Sequence, residues 1–173
     1  MGIDETIEVV PYDERWVSLY EGEKEKLTNI FGETAVDIQH FGSTSVPGMF
    51  AKPIIDILIG VRTLELEPGL TEALEQYGYE GFCEAGVSGR LYFRKRKELS
   101  CNLAVVVWKS EQWNNNLLMR DYLREHCEEA QKYSELKLVT IKKGTTTLLA
   151  YSDEKEDFVG SLLERAKKWQ RKD

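Results

Sequence analysis

Apolar positions along the 173 residues recur with a helical period toward both ends of the chain and a strand period in the middle. After Asp13, which reads as an N-cap, Trp16, Leu19, Tyr20, Leu27, Ile30 and Phe31 fall mostly on one stripe that Gly32 ends. Residues 35–41 (AVDIQHF) alternate as a strand does, and 53–61 (PIIDILIGV) is a continuous apolar run of the kind a buried strand shows. Pro68 opens a short helix carrying Leu70, Ala73, Leu74 and Tyr77, closed by Gly78. GRLYFRKRK alternates again, with Arg90, Tyr92, Arg94 and Arg96 on one face and Leu91, Phe93 and Lys95 on the other, and LSCNLAVVVW follows as its antiparallel partner. The helical period returns over 110–137, as one broken helix or two, and over 153–169; Trp16, Trp113 and Trp169 read as anchors from helix to core. Central strands and outer helices predict an α+β fold, a mixed β-sheet packed with helices, in a single domain over 1–173.

Composition narrows the function. With 23 basic and 30 acidic side chains the formal charge is −7 and the pI is near 5.1, which argues against wrapping nucleic acid or coating an anionic membrane. Three cysteines, Cys83, Cys101 and Cys127, form no CxxC pair and suggest neither a disulfide framework nor a zinc ribbon. The amino terminus has acids where a signal peptide needs bases, and no apolar run approaches membrane-spanning length. A soluble, cytoplasmic protein is expected.

The oily strand carries one carboxylate, Asp56, just after a glycine-serine loop, HFGSTSVPGMFAK. A Walker A motif does not fit, because five residues and not four separate Gly42 from Gly48 and the lysine, Lys52, comes only after three further residues. A glycine-serine turn followed by a strand carboxylate fits better: Gly42, Ser43 and Thr44 bring backbone N–H groups to a phosphate, and Asp56 holds the Mg²⁺ that bridges its oxygens. Lys52, before Pro53, offers its ammonium to phosphate or to water.

The stretches EVVPYDERW, QHFGSTSVPGMFAKPIIDILIGV, RLYFRK, LLMRDYLREH, YSELK and YSDEKEDFV together resemble the GrpB family, predicted proteins of the nucleotidyltransferase fold, over nearly the whole chain. The resemblance implies a nucleotidyltransferase-like mixed sheet, with the glycine-serine loop facing bound phosphate and the Asp56 strand beside it. It also implies a link to nucleotide or coenzyme metabolism, since the family's module is fused to some dephospho-CoA kinases. Two positions depart from it. Active nucleotidyltransferases carry a second carboxylate two residues on, where both point to one face and share metals, and here that position is Leu58. The family's strand often carries a histidine where this chain has Ala104. Glu84 and Glu98 are candidates for the missing carboxylate.

Each candidate also has a structural reading. Asp56 can be a carboxylate capped by loop N–H groups; Gly42 and Gly48 can simply permit a tight turn; Ser43, Thr44 and Ser45 can cap a short helical turn; His40 reads as a satisfied core histidine. Arg90, Tyr92 and Arg94, with Arg96, form a positive stripe suited to phosphate, or a charged strand face that resists aggregation. Arg120 is expected to face the cleft while Asp121 points elsewhere and braces another element, and Lys155 reads as solvated or, second to that, as reaching a phosphate. Two functions remain open: a cleft that binds a nucleotide or other phosphate-bearing ligand, and a Mg²⁺-dependent nucleotidyltransferase acting on an unknown acceptor.

Overall fold

A computed structural model describes residues 2–172. The first helical stripe forms α1 (Arg15–Phe31), opened by Asp13, whose Oδ1 accepts the Arg15 N–H at 2.9 Å. There follow β1 (Ala35–Phe41), β2 (Ile55–Val61), α2 (Pro68–Gln76), β3 (Glu80–Gly81), β4 (Arg90–Lys95), β5 (Cys101–Val107), α3 (Glu111–Glu125), α4 (Cys127–Lys142) and α5 (Leu148–Gln170). The expected α+β architecture is present. The long helical stretch is two helices broken at His126, and α5 starts at Leu148, five residues earlier than the apolar period indicates, because its first turn is exposed and leucine-rich only at Leu148 and Leu149.

The sheet runs β1-β2-β5-β4-β3, with β2 and β5 parallel and every other pair antiparallel. β2 reads as continuously apolar because both its faces are covered. Ile55, Ile57, Ile59 and Val61 pack toward α1 and α2, among Trp16, Tyr20, Leu27, Phe31 and Leu74. Leu58 packs on the other face with Ala104, Val106 and Trp113. Gly60 shares that face, where a Cβ would come within 2.9 Å of the rings of Trp108 and Trp113. Lys95 and Glu23 form an ion pair at 2.6 Å, both nearly inaccessible, with the hydroxyls of Tyr77 and Tyr79 also donating to Glu23. Among the described residues no helix is long and apolar enough to cross a membrane.

His40 is a core histidine, as its sequence context indicates. Its Nε2 meets Thr44 Oγ1 at 2.9 Å, and its ring stacks on Tyr20 at 4.7 Å. Burial, with help from the nearby Arg124 and Arg120 charges, pushes its pKa down to about 4. The folded chain therefore refuses a proton that the unfolded chain accepts near pH 6.5, so stability falls as pH drops from 6.5 toward 4, by about 3 kcal/mol from this group. Urea midpoints between pH 7 and 4.5 should fall less steeply in His40→Gln than in the wild type.

Candidate functional site

Asp56 lies on the α5 side of the sheet, at the start of β2 where the side-chain layer has not yet closed over. Its neighbours across the sheet are Phe41 on β1 and Asn102 on β5. Asn102 Oδ1 accepts from Tyr92 Oη and from Arg96 Nη2, each at 2.9 Å, which turns the amide nitrogen to Asp56; Nδ2 donates to Asp56 Oδ1 at 3.0 Å. The other carboxylate oxygen faces Gly42. A Cβ at position 42 would stand 2.6 Å from Asp56 Oδ2, and Gly42 adopts φ 69, ψ −172, a region essentially closed to other residues. Glycine-serine turn and strand carboxylate are thus in contact. Asp56 and Asn102 form part of a cavity of about 620 Å³ between the sheet and α5, within the range of small-molecule sites.

The residues singled out in the sequence divide. Arg90 and Tyr92 line the cavity; the Arg90 guanidinium lies 5.0 Å from the centre of the Tyr92 ring, its Nη2 donates to the carbonyls of Glu84 and Ala85, and its Nε is buried with no hydrogen-bond partner among the described residues. Arg94 is not among the residues that line the cavity, and its guanidinium donates to the carbonyls of Ile3 and Gly2 at 2.8 and 2.9 Å. Arg96 forms a two-pronged pair with Glu5. These arginines tie the amino-terminal segment to the sheet, and the same segment bonds α5 through Leu148 N to Glu5 O, so Ile3 becomes a wall of the cavity. The positive stripe is spent largely on this strap.

Arg120 departs from expectation as well. It pairs with Asp121 at 2.8 Å and donates to Gln39 Oε1 and His40 O, bracing β1 beside a second, smaller cavity of about 180 Å³. Adjacent residues on a helix usually diverge, but the long arginine side chain reaches back across one residue. Ser43–Ser45 form a single 3-10 turn in which Thr44 is consumed by His40 and Ser43 Oγ by Lys137. Glu84 accepts the Gly89 N–H in an exposed loop, and Glu98 is exposed in the turn after β4, so neither joins Asp56 on the sheet face.

Two lysines of the site carried no apolar signal. Lys137 of α4, 2% exposed, donates to Phe50 O at 2.9 Å and sits 4.1 Å from the centre of the Tyr133 ring. Lys155 of α5 is half-buried in the cavity wall rather than solvated, 4.2 Å from the Tyr151 ring centre and 5.6 Å from that of Tyr133. Lys52 approaches the Tyr151 ring from the loop side at 5.6 Å. Three ammonium groups thus share two buried rings, an arrangement that partly replaces lost hydration. The signal was in the chain: Tyr133-Ser-Glu-Leu-Lys137 and Tyr151-Ser-Asp-Glu-Lys155 repeat one tyrosine-to-lysine spacing, one helical turn, so each lysine reaches its own tyrosine.

The electrostatics follow from this crowding. Burial lowers the pKa of Lys155 to about 7, with Lys52 adding repulsion, and depresses Lys137 well below its ordinary range, with Lys155 and Lys52 adding to the effect. Lys52 is lowered by burial too. Burial raises the Asp56 carboxyl, against the pull of Lys52, Asn102 and Lys155.

These residues do not fit a resident Mg²⁺. That ion takes about six oxygens in a near-ideal octahedron, whereas Asp56 is held by an amide donor and neighboured by cations, and the position two residues on is Leu58, wholly buried beside Trp113. Asp153 and Glu156 line the cavity from α5, both exposed. Among the described residues, no group of three or more His, Cys, Asp or Glu side chains is placed to hold a metal ion.

The likeness to known proteins extends across the chain. YqkA, a UPF0157 protein of Bacillus subtilis (strain 168), is 36% identical over 169 residues, 95% of this chain and 48% of YqkA, so the chain spans about half the length of that relative. The glutamate-rich protein GrpB of Alkalihalophilus pseudofirmus is 36% identical over 162 residues, 90% of this chain and 92% of its own. The crystal structure of the conserved protein GrpB from Enterococcus faecalis matches with a TM-score of 0.85 at 33% identity, over 94% of this chain and 99% of that one. Residues 6–165 match the family model described as GrpB protein, and with that agreement of sequence and fold the chain belongs to the GrpB family.

Proposed function

We propose that the cavity between the Asp56 face of the sheet and α5 binds a nucleotide or another phosphate-bearing small molecule. The observation that carries this reading is the convergence of cations on one carboxylate: Lys155 and Arg90 line the cavity, and Lys52 lies behind it. Among the described residues Arg90 Nε has no hydrogen-bond partner, and a buried donor left unpaired costs about 1–3 kcal/mol, which an acceptor on a ligand would recover. Any Mg²⁺ in this reading arrives on the ligand's own phosphates. Binding is favoured over nucleotidyl transfer because Leu58 fills the place of the second carboxylate with core.

Thermal unfolding with mono-, di- and triphosphates and coenzyme A tests the proposal. A ligand at 100 times its Kd adds about 2.7 kcal/mol, several degrees for a chain of this length. A shift that shrinks in Arg90→Met is the expected result. Absence of a shift across the panel would overturn it. Pyrophosphate release that disappears in Asp56→Ala would replace binding by transfer.

A further inference from the structure

We propose that Lys155, backed by Lys52 and Lys137 behind the cavity wall, forms an anion subsite that holds a phosphoryl group of the ligand directly, so that binding needs no divalent metal. This inference rests on the phosphate-binding reading of the same cavity and specifies how the charge is met.

The charges facing one another there are few. From α5 comes Lys155, from α4 Lys137 and from the loop before β2 Lys52, against the carboxylate of Asp56 on β2; Arg90 also lines the cavity, and Asp153 and Glu156 line it from α5 with their side chains exposed to water. Glu5 and Arg96 also act on Lys52, with opposite signs, and they neutralise each other in their own pair. Tyr133 and Tyr151 are buried and stay neutral, because burial raises both phenols. Three amines thus crowd the one carboxylate that is withdrawn from water, and the exposed carboxylates of Asp153 and Glu156 are screened by solvent. Lys137 has its donors engaged by Ser43 and Phe50. Among the described residues neither Lys52 nor Lys155 has a carboxylate in ion-pair contact, and the Lys155 ammonium meets only the Tyr133 hydroxyl, at a marginal 3.5 Å.

Buried cations without an anion are costly, and proteins rarely keep them without a use. A cation-π contact offsets part of that cost but leaves ammonium protons unbonded. A phosphoryl group in the cavity would accept those protons and offset the crowded positive charge in one step. Asp56 then has a role other than ligating metal: it limits the repulsion among the lysines when no anion is present, and it opposes the anion when one arrives.

Calorimetric titration of inorganic triphosphate into the full chain decides the matter, run in EDTA and again in Mg²⁺. The proteins are the wild type, Lys155→Met, Lys52→Met and Asp56→Asn, with ligand-free thermal unfolding of each to establish that it is folded. Saturable binding in EDTA is expected, weakened at least tenfold by either methionine and tightened by Asp56→Asn, which removes a negative charge without removing volume. Binding that appears only with Mg²⁺ and vanishes in Asp56→Asn would overturn the inference and leave the phosphate-binding cavity standing. No binding under either condition, together with an empty nucleotide panel, would overturn both. Binding in EDTA that both methionine variants leave unchanged would place the phosphate elsewhere and overturn the lysine subsite alone.

Discussion

Replacing Gly42 by alanine is expected to destabilise the protein by about 4 kcal/mol, a fall of roughly 10 °C in Tm. Two costs combine. The backbone at φ 69, ψ −172 belongs to glycine almost alone, and forcing an L residue there costs about 1–3 kcal/mol. The added methyl would also stand 2.6 Å from Asp56 Oδ2, and overpacking of this kind costs about 1–3 kcal/mol more. Asp56 cannot yield freely, since Asn102 holds its other oxygen and Tyr92 and Arg96 hold Asn102. A double-mutant cycle separates the terms: in an Asp56→Ala background the 2.6 Å clash with Oδ2 disappears, leaving the backbone cost and a tight 3.1 Å approach to the Cβ of residue 56, so Gly42→Ala should lose up to about half its effect. Equal effects in the two backgrounds would mean that the contact between turn and carboxylate contributes nothing.

Lys155→Met is expected to work in the opposite direction, stabilising the ligand-free protein by about 4 kcal/mol at pH 7. Holding an ammonium whose pKa has fallen from 10.5 to about 7 charges the fold that amount relative to the unfolded chain, where the lysine is freely hydrated. The sign with pH follows. Between pH 7 and 9 the unfolded chain keeps the proton and the folded chain releases it, so wild-type stability should rise across that interval. Lys52 and Lys137, depressed for the same reason, add slope of the same sign, while Tyr133 and Tyr151 stay protonated there in both the folded and the unfolded chain. The methionine variant should start higher and rise less. A variant less stable than wild type at pH 7 would show that Lys155 already has a protein partner. Stabilisation by deletion, combined with weaker anion binding, is the signature of a residue kept for a ligand.

Much of this protein is legible in its residues. Period alone locates α1, the buried strand β2 and the alternation of β4, because each of these elements presents a simple face to a simple core. The pairing of the Gly42 turn with Asp56 is equally local, the two being separated by the single loop between β1 and β2. Arg90 and Tyr92 were found by their alternation, and they do reach the cavity. Arg94, on the same face, does not line it, and nothing within β4 distinguishes the two. The difference is the amino-terminal segment, whose backbone carbonyls claim Arg94 from more than 90 positions away.

Local pattern by itself determined the α+β class, the buried character of β2, and the pairing of a glycine-serine turn with the Asp56 carboxylate as a candidate site. Those are matters of short-range sterics and of which side chains water excludes. Tertiary structure decided what surrounds that carboxylate. Lys137 and Lys155 look like ordinary surface lysines on amphipathic helices, and become buried charges only because α4 and α5 pack Tyr133 and Tyr151 against the strand that carries Asp56. Electrostatic energy in a protein depends on distance and on the water displaced, and neither quantity exists until helices distant in the chain have come together.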